Sequence, residues 1–270
     1  MQNSMTVAIG SLGTVGLAVA RGLVDGDTNL RLVAVSARDT VRARARLAAL
    51  GSDAAVVALH ELASMADVVV ECAPAEHFRE LAAPVVAAGK ILVPISVAGL
   101  LDQFDLVEAA RASGARIMVP SGAIVGLDAL RGASEGTIHE VRMITRKPPL
   151  GLAGAPHLSR HAISVENLTE PLKVFDGSAE EGARGFPANV NVAAAVGLAG
   201  IGPARTKLEI WADPGVTRNV HEIHVIAQAA NFRLYIENVP SEENPKTGRL
   251  VALSVIATLR RLTSPLVVGT

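Results

Sequence analysis

Between residues 5 and 119, short apolar runs alternate with alanine-rich segments of helical period, and this alternation constrains the fold more than any other feature of the chain. The runs MTVAIG, LRLVAVS, DVVVECA, KILVPIS and ARIMVP are continuously apolar, as strands buried on both faces must be. Between them, TVGLAVARGLV, TVRARARLAAL, EHFRELAAPVVAAG and LDQFDLVEAARASG repeat apolar residues at intervals of three and four, which puts one apolar stripe on each helix. Strand and helix repeated at this spacing predict an open parallel sheet covered by helices.

After Pro120 the texture changes. IVGLDALRGA reads as a helix, IHEVRMITRK as a strand of alternating polarity, KPPLGLAGAPHLSRHA as a Pro/Gly-rich loop, and SAEEGARGFPANVNVAAAVGLAG as two short helices. Three further alternating runs, RTKLEIWAD, NVHEIHVIAQ and FRLYIENV, predict a mainly antiparallel sheet with one polar face. The final segment, ENPKTGRLVALSVIATLRRL, reads as a helix capped by Asn244 with Pro245 in its first turn, returning to the first domain. The expected organisation is residues 1–121 with 244–270 as one domain and 122–243 as a second, α+β, domain.

Composition narrows the functions open to such a chain. With 270 residues, half of them hydrophobic, it can bury one large or two modest cores. Twenty-five basic and 26 acidic residues, well mixed for a net charge of −1, leave no electrostatic footprint for nucleic acid or an anionic membrane surface, so the expected partner is a small molecule. A single cysteine, Cys72, excludes an intramolecular disulfide and a thiolate zinc site. The N-terminus lacks the pattern of a secretory signal and no apolar run reaches membrane length, so a soluble, cytoplasmic protein is expected.

The first apolar run leads straight into GSLGTVG. Glycines at a strand-to-helix turn let the backbone approach a pyrophosphate, whose charge the free N–H groups of the helix end would hold. Gly10, Ser11, Leu12, Gly13, Thr14 and Val15 are the candidate dinucleotide-binding residues; the departure from GxGxxG is Ser11, standing where the first glycine falls. The alternative is a glycine-rich turn with no ligand. At the end of the second run an acid commonly holds the ribose hydroxyls of NAD, but here VSARDT places Ser36 at that point and Arg38 just after it, which leans toward NADP or use of both cofactors.

TRNVHEIHVIAQ places two histidines three residues apart. In a strand, such residues point to opposite faces, so His221 and His224 cannot ligate one metal, and no other group has metal-ligand spacing. His221 shares a face with Asn219, Ile223 and Val225, and His224 with Glu222 and Ile226. On residues alone, His221 is either a satisfied sheet histidine or a proton carrier.

VPSGAIVGLDAL, FDGSAEEGARGFPANVNVAAAVGLAG, WADPGVTRNVHEI and NPKTGRL, in this order, resemble the L-aspartate dehydrogenase family over nearly the whole chain. The resemblance implies a Rossmann-type domain plus a catalytic domain, NAD or NADP as cofactor, and interconversion of L-aspartate with oxaloacetate and ammonia through iminosuccinate. It implies that His221 is catalytic and that Ala123 and one of Asn189 and Asn191 contact the cofactor. An imidazole, with an ordinary pKa of about 6.5, suits the proton transfers of amine oxidation without a large shift. The two carboxylates of such a substrate need cations or free N–H groups: Lys246, Thr247 and the start of the last helix are the first candidates, with Arg146, Lys147 and Arg218 behind them. A dicarboxylate and ammonia are the expected partners and a homodimer or other homo-oligomer the expected assembly. The rival readings are a reductase of another imino or keto diacid and a cofactor-binding regulator without turnover.

Overall fold

The five apolar runs of the N-terminal half are strands, joined by a short sixth at one edge. In the computed structural model, which describes residues 4–26, 29–187, 190–244 and 247–269, the chain divides into two units, Met1–Gly122 with Val251–Val267 and Ala123–Leu250 with Val268–Thr270.

The first unit runs β1 (Met5–Ile9), α1 (Thr14–Val24), β2 (Leu30–Ser36), α2 (Thr40–Ala49), β3 (Ala55–Val57), α3 (Leu62–Met65), β4 (Val68–Glu71), α4 (Phe78–Ala87), β5 (Ile91–Pro94), α5 (Val97–Leu101), α6 (Asp105–Ser113) and β6 (Arg116–Ile117). The sheet order is β3-β2-β1-β4-β5-β6, with every pair parallel. This is the doubly wound order of dinucleotide-binding sheets, whose direction of winding reverses between β1 and β4 and leaves a crevice at the carboxyl ends of those strands. All four residues of β4 are buried, as its unbroken apolar run requires. Asp39 caps α2 by accepting the Arg42 N–H at 2.9 Å. Among the described residues, no helix is long and apolar enough to cross a membrane.

The second unit runs α7 (Leu127–Ser134), β7 (Ile138–Lys147), α8 (Pro156–Arg160), β8 (Leu172–Ser178), α9 (Ala179–Gly185), α10 (Asn191–Ala199), β9 (Lys207–Ala212), β10 (Val220–Ala227) and β11 (Asn231–Glu237). Its sheet order is β11-β10-β7-β9-β8; only β7 and β9 run parallel. Alternation sorts the sheet into two faces. Val141, Met143, Leu208, Ile210, Ile223 and Val225 build the inner face and are buried. Close backbone approaches set helices against it: a Cβ on Gly182 of α9 would lie 2.5 Å from a Leu208 methyl, and one on Gly126, just before α7, 2.6 Å from a Leu234 methyl. The outer face carries ion pairs instead, among them Lys207 with Glu140 at 3.0 Å and Arg142 with Glu209.

The last helix, α11 (Arg249–Arg261), packs Val255 and Leu259 into the apolar cluster of the first unit with Val7, Ile9 and Val68. Its start differs from the sequence expectation. Asn244 does not cap it: the helix begins at Arg249, after residues 239–241 have paired with 247–249, where Pro240 bridges Gly248, the Ser241 N–H donates to Thr247 O at 2.8 Å, and the Arg249 N–H to Val239 O at 2.9 Å. Pro245, expected in its first turn, lies outside the described residues, and the return to the first unit falls at Val251.

Candidate active site

Gly10 follows β1, and its N–H donates to Val70 O at 2.9 Å, tying the turn to the neighbouring strand of the crevice. Leu12 buries its side chain in the core and offers only backbone; its carbonyl accepts from the Arg46 guanidinium of α2, an anchor that sequence reasoning did not single out. Gly13 is the N-cap of α1 and supplies no side-chain cap, so the N–H groups of the first turn, at Thr14 and Val15, keep their capacity to hold an anion. The glycines differ in what they permit. A Cβ on Gly16 would lie 1.8 Å from Ser11 O, so that glycine is needed for packing helix on turn, whereas a Cβ on Gly13 would meet nothing nearer than Ser11 Oγ at 3.9 Å. The open space over Gly13 beside uncapped N–H groups fits a pyrophosphate.

At the end of β2, Ser36 is buried and the neighbouring acid, Asp39, is committed to its helix cap. Arg38 is exposed. Glu71, fully buried at the carboxyl end of β4, accepts from the Ile95 and Ser96 N–H groups at 3.1 and 2.9 Å and ties the loop after β5 to the sheet; burial raises its pKa despite these bonds.

In the second unit, the inner face of the sheet is apolar except at one end. His221 on β10 stands directly across from Thr145 on β7, with Nδ1 3.2 Å from Thr145 Oγ1, and Lys147 lies two residues along β7 on the same face. His221 is 1 % exposed and Lys147 6 %. Burial first, and then the Lys147 charge, push the His221 imidazole down to about 3. Burial alone brings the Lys147 ammonium down to about 8. An imidazole near its ordinary pKa, the expectation from sequence, is therefore corrected: desolvation makes His221 a neutral group throughout the physiological range. His224 lies on the outer face, bonded to Glu222 at 2.5 Å.

The other expected site residues divide. The Ala123 carbonyl accepts from the buried Asn238 amide at 3.0 Å, which fixes that peptide. Asn191 is the first residue of α10. Asn189 and Lys246 lie outside the described residues. Thr247 sits in the paired turn before α11 and not at the start of the helix. Arg146 and Arg218 line a pocket of about 300 Å³ on the outer face, with Glu222, Tyr235 and Glu237. Arg146 is engaged there with Asp213 at 3.1 Å and lies over the Trp211 ring. No group of three or more metal-ligating side chains occurs among the described residues.

Comparison with known proteins agrees with this fold. The family described as aspartate dehydrogenase, C-terminal, matches residues 128–262, and that described as homoserine dehydrogenase, NAD binding domain, matches residues 12–120. The chain is 52% identical to the L-aspartate dehydrogenase of Bradyrhizobium diazoefficiens over 268 residues, covering 99% of this chain and 95% of that one. It belongs to the L-aspartate dehydrogenase family. It is also 49% identical to L-aspartate dehydrogenase 3 of Bordetella bronchiseptica, over 100% of this chain and 99% of that one. The solved structure of aspartate dehydrogenase from Thermotoga maritima superposes with a TM-score of 0.75 at 27% identity, over 98% of this chain and 99% of that one. The chain is thus an NAD(P)-dependent dehydrogenase, whose first unit carries the cofactor-binding sheet. Thr145 and Lys147 complete the polar end of the inner face. The signal in sequence was the alternation of VRMITRK, which breaks an apolar face with a hydroxyl and a cation two residues apart.

Proposed function

We propose that the enzyme interconverts L-aspartate with oxaloacetate and ammonia through iminosuccinate, with His221 as the proton carrier. The observation that carries the reading is the pairing of His221 with Thr145 in a buried, otherwise apolar face, beside a cation suited to a carboxylate. The names of the relatives at 52% and 49% identity support the substrate.

In the oxidative direction L-aspartate, water and the oxidised cofactor give oxaloacetate, ammonium, the reduced cofactor and one proton. The nicotinamide, when bound, accepts the hydride from the α-carbon. The rest falls to the chain. His221 Nδ1 and Thr145 Oγ1 share a hydrogen bond; the tautomer that donates from Nδ1 would leave the Nε2 lone pair for the reacting end of the substrate. From there it takes a proton from the water that attacks the imine carbon and returns it to the departing nitrogen. Neutrality of the imidazole in the free enzyme keeps that lone pair available at every working pH. The N–H groups at the start of α1 would hold the cofactor's pyrophosphate, with Ala123 and Asn191 as further contacts. Ser36 in place of an acid and Arg38 beside it support acceptance of NADP alongside NAD.

The test is turnover by the purified enzyme, followed by nicotinamide absorbance, with L-aspartate in one direction and oxaloacetate plus ammonium in the other, against a panel of other amino acids and keto diacids. Turnover of another diacid without L-aspartate, or none at all, would refute the reading.

A further inference from the structure

We infer that Asn238 is a positioning residue of the cofactor site, whose side-chain amide holds the Ala123 peptide in the orientation that the cofactor meets. The inference rests on the cofactor contact proposed for Ala123 and names what keeps that contact in place. Ala123 lies between β6 and α7, in a stretch, residues 118–126, that belongs to no helix or strand, so no ladder of backbone bonds fixes it. Side chains do so instead. The Gly122 N–H donates to Ser254 Oγ at 3.0 Å, the Ile124 side chain is buried, and the Ala123 carbonyl accepts from Asn238 Nδ2 at 3.0 Å across 115 residues of sequence. A carbonyl is met near the plane of its peptide, so this bond sets the plane of the Ala123–Ile124 peptide. Ala123 itself stays partly exposed.

The surroundings of Asn238 support the same role. It follows β11 directly and is 4 % exposed, and its own N–H donates to Asn219 O at 2.9 Å, two residues ahead of His221. Gly248 leaves room for its side chain: a Cβ there would lie 3.1 Å from Asn238 Oδ1 and 3.4 Å from Asn238 Cβ. One residue is thus bonded to two segments of backbone and wedged against a third. Its Oδ1 is buried with no hydrogen-bond partner among the described residues. A buried carbonyl left unpaired is costly, and an apolar side chain of similar size would avoid that cost. What the amide contributes in return, among the described residues, is its hold on Ala123 O.

The test measures the dissociation constant of the reduced cofactor, by nicotinamide fluorescence, and kcat for Asn238→Leu and Asn238→Asp in the full-length enzyme. Asn238→Leu keeps the volume and removes the donor; it should weaken cofactor binding roughly 10-fold, the order of one lost hydrogen bond, with kcat at saturating cofactor within a few-fold of wild type. Asn238→Asp titrates the same bond. Its protonated carboxyl can donate to Ala123 O and its carboxylate cannot, and burial raises the pKa of such a carboxyl toward neutrality. Cofactor affinity in this variant should approach wild type at about pH 5.5 and fall roughly 10-fold by about pH 8, with wild type at the same pH values as the background. A side chain that served only the stability of the fold would lower the melting temperature and leave the cofactor constants of the folded variants unmoved. Should Asn238→Leu not fold, the pH dependence of Asn238→Asp decides. Wild-type affinity in folded Asn238→Leu, or an Asn238→Asp affinity that is the same at both pH values, overturns the inference. Ala123→Trp separates it from the reading beneath: full cofactor affinity in that variant refutes the contact at Ala123, whereas a loss there with none in the Asn238 variants refutes the positioning role alone.

Discussion

Replacing Lys147 by methionine should stabilise the protein at neutral pH. The lysine falls from 10.5 to about 8 through burial, and at about 1.4 kcal/mol per pH unit this costs about 3 kcal/mol of folding free energy at neutral pH. The sign follows from linkage. Below about 8 the ammonium is charged in both folded and unfolded chains, and the native state carries the full desolvation penalty. Between about 8 and 10.5 the unfolded chain binds a proton that the native one does not, so this group's contribution to stability rises with pH across that window. Methionine has a similar unbranched stem without the charge and fits an apolar face. Hydrogen bonds lost with the ammonium offset about 1 kcal/mol, leaving a gain of about 2 kcal/mol at neutral pH that shrinks above about pH 8 and is gone before pH 10.5. Urea unfolding of both proteins at a series of pH values measures it. A methionine variant less stable than wild type at neutral pH, by an amount that does not change with pH, would refute the reasoning and mark Lys147 as a structural residue.

Gly13→Val should abolish binding of the reduced nicotinamide in a folded protein, since its Cβ meets only open space, whereas Gly16→Val should unfold the turn itself, its Cβ falling 1.8 Å from Ser11 O. Nucleotide titration with circular dichroism separates the two, and full cofactor affinity in Gly13→Val would count against the site. Arg38→Ala should weaken NADP selectively, because only NADP carries the 2′-phosphate; equal losses for NAD and NADP would make Arg38 structural. His221→Ala should lower kcat by roughly 10²-fold or more with cofactor affinity intact, while His224→Ala, on the outer face with Glu222, stays within a few-fold; equal kcat values for the two variants would remove His221 from the chemistry.

Much of the fold was legible because burial on both faces leaves its mark on every residue of a strand. TVGLAVARGLV became α1 residue for residue, and the four fully buried residues of β4 sit within DVVVECA. Strands with weaker burial were missed. β3 has three half-buried residues at a sheet edge, and β8 contains Lys173, Asp176 and Gly177 with a register shift between Lys173 and Phe175, so its alternation is broken by the bulge itself. At NPKTG a local signal, asparagine before proline, was overruled by pairing between residues 239–241 and 247–249, which no helical propensity can outweigh once the backbone N–H groups are taken.

The site shows where reading by alternation stops. Alternation separates His221 from His224, since period two needs nothing beyond the strand, and the structure places them on opposite faces, one buried and one bonded to Glu222. It carries no information on how two strands pair. That Thr145 meets His221, and that a lysine stands one step farther along the same face, depends on the register of β7 against β10, set by residues far apart in the chain. The electrostatics follow from that register. An exposed imidazole beside a solvated lysine would titrate near neutrality, whereas on this face burial first, and then the Lys147 charge, favour a neutral histidine, and burial alone makes the lysine readily deprotonated.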